Sequence, residues 1–231
     1  MKVEIWSDVV CPFCYIGKRK FENALKDFDQ KDKVEIVWRS FQLDPEMEVV
    51  PGQTLHEYLG KRKGTTAAEG KKMNDSMSAT AKEVGLTYNL DNAIISNTLN
   101  AHRLLHLAKE NGLQNETKEA LFAAYYTDAK DIGDTATLVS IGKSVGLSGV
   151  EINSMLQSDE YINDVQQDQI LAQHLGVQGV PFYVFNNKYA VSGAQATDVF
   201  TQVLHKVWEE EKPTVEILSA GEFCTTDGVC N

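Results

Sequence analysis

Cysteine is scarce in this chain, with 4 among 231 residues, and so is proline, with 5. Four thiols are too few for the dense disulfide framework of a small secreted fold. They fall instead as two close pairs, Cys11 with Cys14 and Cys224 with Cys230, a grouping that suits redox use better than stapling. Long apolar runs are missing: none approaches the ~20 residues of a membrane span. The N-terminus lacks the apolar stretch of a secretory signal, since Met1-Lys2 leads at once into Glu4 and Asp8. Cleavage there would also remove Cys11, so a cytoplasmic location is expected. Positive charge is short as well, with 22 Lys and Arg against 33 Asp and Glu and a net charge of -11. That balance argues against nucleic acid or an anionic membrane as partner. Internal repeats and low-complexity tracts are lacking. No obvious nucleotide or metal motif appears, and no cofactor is expected.

What is there begins at Cys11-Pro12-Phe13-Cys14. The motif follows an apolar stretch (Val3, Ile5, Trp6, Val9, Val10) that reads as a buried strand. It precedes residues 15–28, whose Phe21, Ala24, Leu25 and Phe28 recur on one helical face. A C-x-x-C at such a junction places the first thiol at a helix N-terminus, where unpaired N–H groups and the macrodipole favour a thiolate. On that ground Cys11 is expected to be acidified from about 8.5 into the range of roughly 3.5–7.5. Lys18, Arg19 and Lys20 are expected to push weakly the same way, and Pro12 suits the first helical turn. The same four residues could form a structural disulfide, although so small a ring adds little loop-closure stabilisation. They could also supply half of a zinc site, but Cys224 and Cys230 are spaced C-x5-C and not as a second knuckle.

Residues 33–41 alternate as a second strand, which completes a βαβ unit with an expected right-handed parallel crossover. From about 54 to 174 the pattern is helical almost throughout. Thr54 with Glu57 and Ser148 with Glu151 read as capping boxes. Helices are expected near 73–84, 98–110, 116–129, 134–146 and 158–175. Residues 181–185 and 188–191 then form a hairpin around Asn186-Asn187, and 196–208 is an amphipathic helix. His102 and His106 stand one turn apart, but no third ligand lies near them in the sequence and they read as polar helix residues.

The order βαβ, helical block, ββα, with C-x-x-C at the first helix, resembles the thioredoxin fold. The block between the halves resembles the insertion of the DsbA family of thiol–disulfide oxidoreductases. IWSDVVCPFCYIGK, FQLDP, NTLNAHRLLHLAKE and GVQGVPFYVFNNKYAVSGAQ, in that order, are similar to FrnE-type members over roughly residues 1–210. The resemblance implies an α/β fold, a thioredoxin-like βαβ–ββα core interrupted by a large all-helical insertion. It divides the chain into 1–50 and 177–212 for the two halves of that core, 51–176 for the insertion, and 213–231 for a tail with the second cysteine pair.

The resemblance further implies a cis Val180-Pro181 peptide facing the cysteines, with Pro181 part of the catalytic apparatus. Val180, Pro12 and Phe13 would be substrate contacts, and Asn97, Asn100 and His102 would line the groove above. The implied activity is exchange between thiols and disulfides through a mixed disulfide on Cys11 that Cys14 resolves. Partners would be protein or small-molecule disulfides and a cellular thiol reductant. Cys224 and Cys230 read either as a structural disulfide or as a second redox couple. Two rivals stand beside this reading. One is a glutathione-dependent isomerase or transferase of the kappa or hydroxychromene-carboxylate type, whose members carry serine where this chain has Cys11. The other is a non-catalytic zinc-binding or chaperone-like module.

Overall fold

A computed structural model describes residues 1–211 of the chain. Cys224 and Cys230 lie outside the described residues. Strand β1 (Lys2–Ser7) is followed by helix α1 (Pro12–Lys26), a short 3-10 turn (Lys31–Lys33) and strand β2 (Glu35–Ser40). Seven helices come next: α2 (Leu55–Arg62), α3 (Ala67–Glu83), α4 (Leu99–Glu110), α5 (Gln114–Tyr126), α6 (Thr135–Ser144), α7 (Gly149–Leu156) and α8 (Ile162–His174). Strands β3 (Phe182–Phe185) and β4 (Tyr189–Ser192) and helix α9 (Thr197–Glu211) complete the described chain. The fold is a thioredoxin-like βαβ–ββα core with a helical insertion. Among the described residues no helix is long and apolar enough to cross a membrane.

The sheet order is β2-β1-β3-β4, with β1 parallel to β2 and the other pairs antiparallel. Side-chain alternation along β1 decides what each face meets. Val3 and Ile5 join Phe21 and Ala24 of α1 and Phe200 and Leu204 of α9 in one core. Trp6, on the other face, packs with Ala172 of α8, Val177 and Val184, and its Nε1–H donates to the Asp168 carbonyl at 2.9 Å. The outer edge of β2 is closed by an amide side chain that mimics a strand. Gln114 of α5 accepts from Trp38 N–H through Oε1 and donates to the Trp38 carbonyl through Nε2, both at 2.9 Å. The bonds cover the ladder at Trp38, and Asp168 takes the Ser40 N–H beside it.

Element limits depart from the sequence pattern where the backbone turns without changing polarity. Strand β1 stops at Ser7, and Val9 and Val10 form a turn in which Cys11 N–H reaches the Asp8 carbonyl at 3.3 Å. The last insertion helix starts at Ile162 instead of Ser158, because Tyr161 takes a left-handed φ of 62°. Helix α3 begins earlier than expected, at a capping box of Thr66 and Glu69 that the methionine periodicity hides. Asn186 and Asn187, with φ of 48° and 55°, make the hairpin turn that two consecutive left-handed residues give.

The insertion is bound to the sheet through buried charge. Arg39 of β2 bonds Glu4 of β1 and, at 2.8 Å, Asp168 of α8. Asp168 also accepts Ser40 N–H at 2.8 Å and lies 3.3 Å from His106 Nε2. Burial would raise both carboxyls, but these partners win and hold Glu4 and Asp168 below the ordinary carboxylate range. A depressed folded pKa contributes stability above the unfolded value of about 4, lost as pH falls through the folded value. Replacing Arg39 by methionine removes the cation that Glu4 and Asp168 share, leaving Lys2 on Glu4 and Ser40 N–H and His106 on Asp168, and is expected to cost about 1–3 kcal/mol at pH 7. Denaturant titration of Arg39→Met checks this: the deficit should shrink toward pH 4, where protonation relieves the under-compensated charges.

Candidate active site

Cys11 is the N-cap of α1, with extended backbone angles (φ -87°, ψ 111°), and Pro12 takes the first helical position. Cys14 N–H closes the first turn on the Cys11 carbonyl at 3.0 Å. Both cysteines are free thiols and both are buried, Cys11 4% and Cys14 1% exposed. The Val180-Pro181 peptide is cis, and the Cys11 thiol donates to the Val180 carbonyl at 3.4 Å. Tyr88 of the insertion holds the turn from the other side, its hydroxyl donating to the Pro12 carbonyl at 2.8 Å. The structure thus brings Cys11, Cys14, Pro12, Val180 and Pro181, residues far apart in sequence, to one end of the sheet.

The electrostatics overturn the expected acidification of Cys11. Its thiol is pushed up, first by the side-chain hydrogen bond with Cys14, then by burial, with the Asp8 carboxylate adding to both; the Cys14 backbone N–H pulls the other way. The helix N-terminus is present but outweighed. The three cations expected to assist do not face the thiols as free charges. Lys18 is buried on Glu22 and Glu119 at 2.5 and 2.6 Å, Arg19 bonds the same two carboxylates, and Lys20 donates to the Ala194 carbonyl.

Behind the cysteines lies a polar cluster that the sequence reading overlooked. Asp8 is fully buried, accepts Leu43 N–H at 2.8 Å and faces His102 Nε2 at 3.2 Å. Burial would raise its carboxyl, but His102, Leu43 and Lys118 together hold it low. Lys118 of α5 is also fully buried, 3.4 Å from the Ser7 carbonyl and over the rings of Phe122 and Trp38. Burial lowers it to about 8, against the pull of Cys14, Asp8 and Cys11. Asp8, three residues before Cys11 at the end of an apolar strand, was a readable signal. Lys118 was not, because a lysine in an amphipathic helix ordinarily faces water.

A cavity of about 500 Å³ opens on Cys11 and lies between the thioredoxin-like core, helices α2, α3 and α5 and the segment 90–98. Pro12, Phe13 and Val180 line it together with Cys11. His102 does not. It sits behind the wall with no exposure, so its expected substrate contact becomes a support for Asp8. Asn97 and Asn100 are engaged too, Asn97 donating to the Pro45 and Met47 carbonyls and Asn100 accepting from Arg103. The two histidines of α4 meet different carboxylates, Asp8 and Asp168. Among the described residues no three His, Cys, Asp or Glu side chains converge as metal ligands.

Residues 2–205 match the model of the DSBA-like thioredoxin domain. A probable DsbA oxidoreductase of Streptomyces coelicolor superposes with a TM-score of 0.86 at 38% identity, over 100% of this chain and 98% of that one. The Bacillus subtilis (strain 168) protein YwbO is 28% identical over 205 residues, which is 87% of this chain and 94% of its own length. The cytosolic disulfide reductase DsbM of Pseudomonas aeruginosa shares the fold, with a TM-score of 0.62 at 13% identity over 91% of this chain and 100% of that one.

The raised Cys11 thiol gives a direct expectation. Thiolate absorbance of the reduced protein should show no step well below the ~8.5 of a free cysteine. Asp8→Asn should shift the Cys11 step downward, because it removes a negative charge that opposes the thiolate. A wild-type step below pH 7 would restore the acidified reading.

Proposed function

Because the chain belongs to the DSBA-like thioredoxin-domain family, we propose that it is a thiol–disulfide oxidoreductase that works through Cys11 and Cys14. The carrying observation is the pair of free buried thiols at the start of α1, with Cys11 bonded to the Val180 carbonyl beside cis-Pro181 and open to the cavity. Cys11 loses its proton and its sulfur attacks one sulfur of a substrate disulfide. A Cys11–substrate bond forms, the substrate S–S bond breaks, and the departing thiolate takes a proton. Cys14 then attacks Cys11, which closes the Cys11–Cys14 disulfide and releases the second substrate thiol. A cellular thiol reductant restores the pair.

The direction follows from which state the protein stabilises. A strong oxidant is one whose reduced, thiolate form is favoured. Here the side-chain bond with Cys14, then burial and Asp8, oppose the Cys11 thiolate, which weakens oxidising power and favours reduction or isomerisation of disulfides. That direction fits a cytoplasmic setting, where the glutathione poise keeps such pairs reduced. Cys224 and Cys230 we assign to a second couple that exchanges with Cys11–Cys14. Cys224→Ser should then change turnover, whereas a structural bridge would change stability alone.

Trapping tests the central assignment. Cys14→Ser should accumulate a mixed disulfide through Cys11 when offered a disulfide substrate, and Cys11→Ser should accumulate none. Insulin reduction should fall by at least about 100-fold in either variant, the scale of losing a nucleophile or its resolving partner. A wild-type protein that neither reduces insulin nor yields a trapped species with Cys14→Ser would sink the assignment.

A further inference from the structure

Cys11 is 4% exposed, and the cavity is where it meets solvent-accessible space. Thiolate attack on a disulfide runs along the S–S axis, so the attacked sulfur and the group it carries must enter that space. At about 500 Å³ the cavity has the size of a small-molecule site. Its wall is dominated by Met47, Met73, Met77, Leu55, Leu59 and Ile95, with tyrosine rings among them. Methionine thioethers adapt their shape and contact rings and sulfur favourably. The rim continues the theme, with Phe13, Leu43 and Met73 exposed at 47%, 37% and 40%.

Polar side chains on this wall are largely spoken for. Asp8 meets His102 and Leu43 N–H, and Asp44 holds Tyr58 and Arg62. Asn74 bonds His56, and Ser96 bonds Asp131. Arg62 and Lys63 are exposed and offer charge at the rim, away from the interior. Tyr126 adds its ring, which stacks on Tyr88 at 4.3 Å, while its hydroxyl is buried away from the cavity without a hydrogen-bond partner among the described residues.

We propose that the cavity binds a low-molecular-mass disulfide whose entering half is apolar. The proposal rests on the oxidoreductase reading and adds the substrate class. Glutathione disulfide and extended peptides are disfavoured inside, because their carboxylates and peptide groups would lose water against a wall of hydrocarbon and sulfur. The step balances as above: the Cys11 sulfur bonds the apolar half, the substrate S–S bond breaks, and the other half leaves as a thiol.

The test uses the full-length reduced protein and three probes: aromatic dipyridyl disulfide, glutathione disulfide, and a short disulfide-linked peptide. Each oxidation rate is divided by the same probe's rate with N-acetylcysteine, which removes intrinsic reactivity. The normalised rate for dipyridyl disulfide should exceed the others by about ten-fold or more, a binding preference of roughly 1.4 kcal/mol. Leu59→Glu, which places a charge on the wall away from the thiols, should cut that advantage by about ten-fold. Equal or higher normalised rates with glutathione disulfide or the peptide would overturn the substrate class. Mixed disulfides trapped on Cys14→Ser with hydroxyethyl disulfide, but with no aromatic preference in the wild type, would leave the redox reading standing and remove this one. No reaction of Cys11 with any probe would remove both.

Discussion

The approach of α1 to the start of β3 is the constraint on which the site depends, and a missing side chain makes it possible. A Cβ on Gly17 would lie 2.6 Å from the Tyr183 hydroxyl and 3.0 Å from Pro181 Cγ. Glycine inside a helix costs roughly 0.5–1 kcal/mol relative to alanine, and this one sits in a fully ordered helix interior. What the protein gains is contact between the helix that carries Cys11 and the loop that carries Val180. With α1 pushed outward by one methyl group, the Cys11 thiol would lose its 3.4 Å contact with the Val180 carbonyl. The tyrosine and proline that press on Gly17 come from the C-terminal half of the core, so the two halves are joined at the reactive pair itself.

Around that pair the protein balances charges instead of supplying one sign. Asp8 and Lys118 are both fully buried, on opposite sides of neutrality, and both act on the thiols. Asp8 disfavours the Cys11 thiolate, while the thiols and Asp8 pull against the burial that lowers Lys118. The cations of α1 are withdrawn onto Glu22 and Glu119. A helix N-terminus favours a thiolate; the bond with Cys14, burial and the Asp8 carboxylate oppose it at Cys11. The insertion contributes directly, since Lys118 and His102 belong to it.

Much of the fold was legible because periodicity and capping chemistry are local. Thr54 with Glu57 starts α2 with both halves of the box formed, and Asn186-Asn187 makes the hairpin turn. The C-x-x-C announced the reactive thiols for the same reason, since its meaning lies in four adjacent residues. The sequence misled where a property is set by distant neighbours. The pKa of Cys11 depends on Cys14's side-chain bond, on burial and on Asp8, and not on helix position alone. Lys118 and His102 look like surface residues of amphipathic helices and are instead interior, because α4 and α5 each pack on more than one side. Tyr161 breaks α8 in a left-handed conformation that its chemistry does not advertise.

The division of labour between core and insertion follows from these contacts. The thioredoxin-like core supplies Cys11, Cys14 and Pro181, on which the proposed exchange reaction rests. The insertion supplies the cavity wall and the Tyr88 bond to the Pro12 carbonyl. Stacked rings run from Tyr15 of α1 through Phe122 of α5, at 4.7 Å, and again from Tyr88 to Tyr126. Aromatic contacts of this kind are geometrically specific, so they fix the wall relative to the thiols and not merely near them. A change in the wall would therefore alter which disulfide enters without touching the chemistry. A change in Gly17 or Asp8 would alter the chemistry without reshaping most of the wall. Separable control of this sort explains how one C-x-x-C can serve different substrates when the helices over it differ.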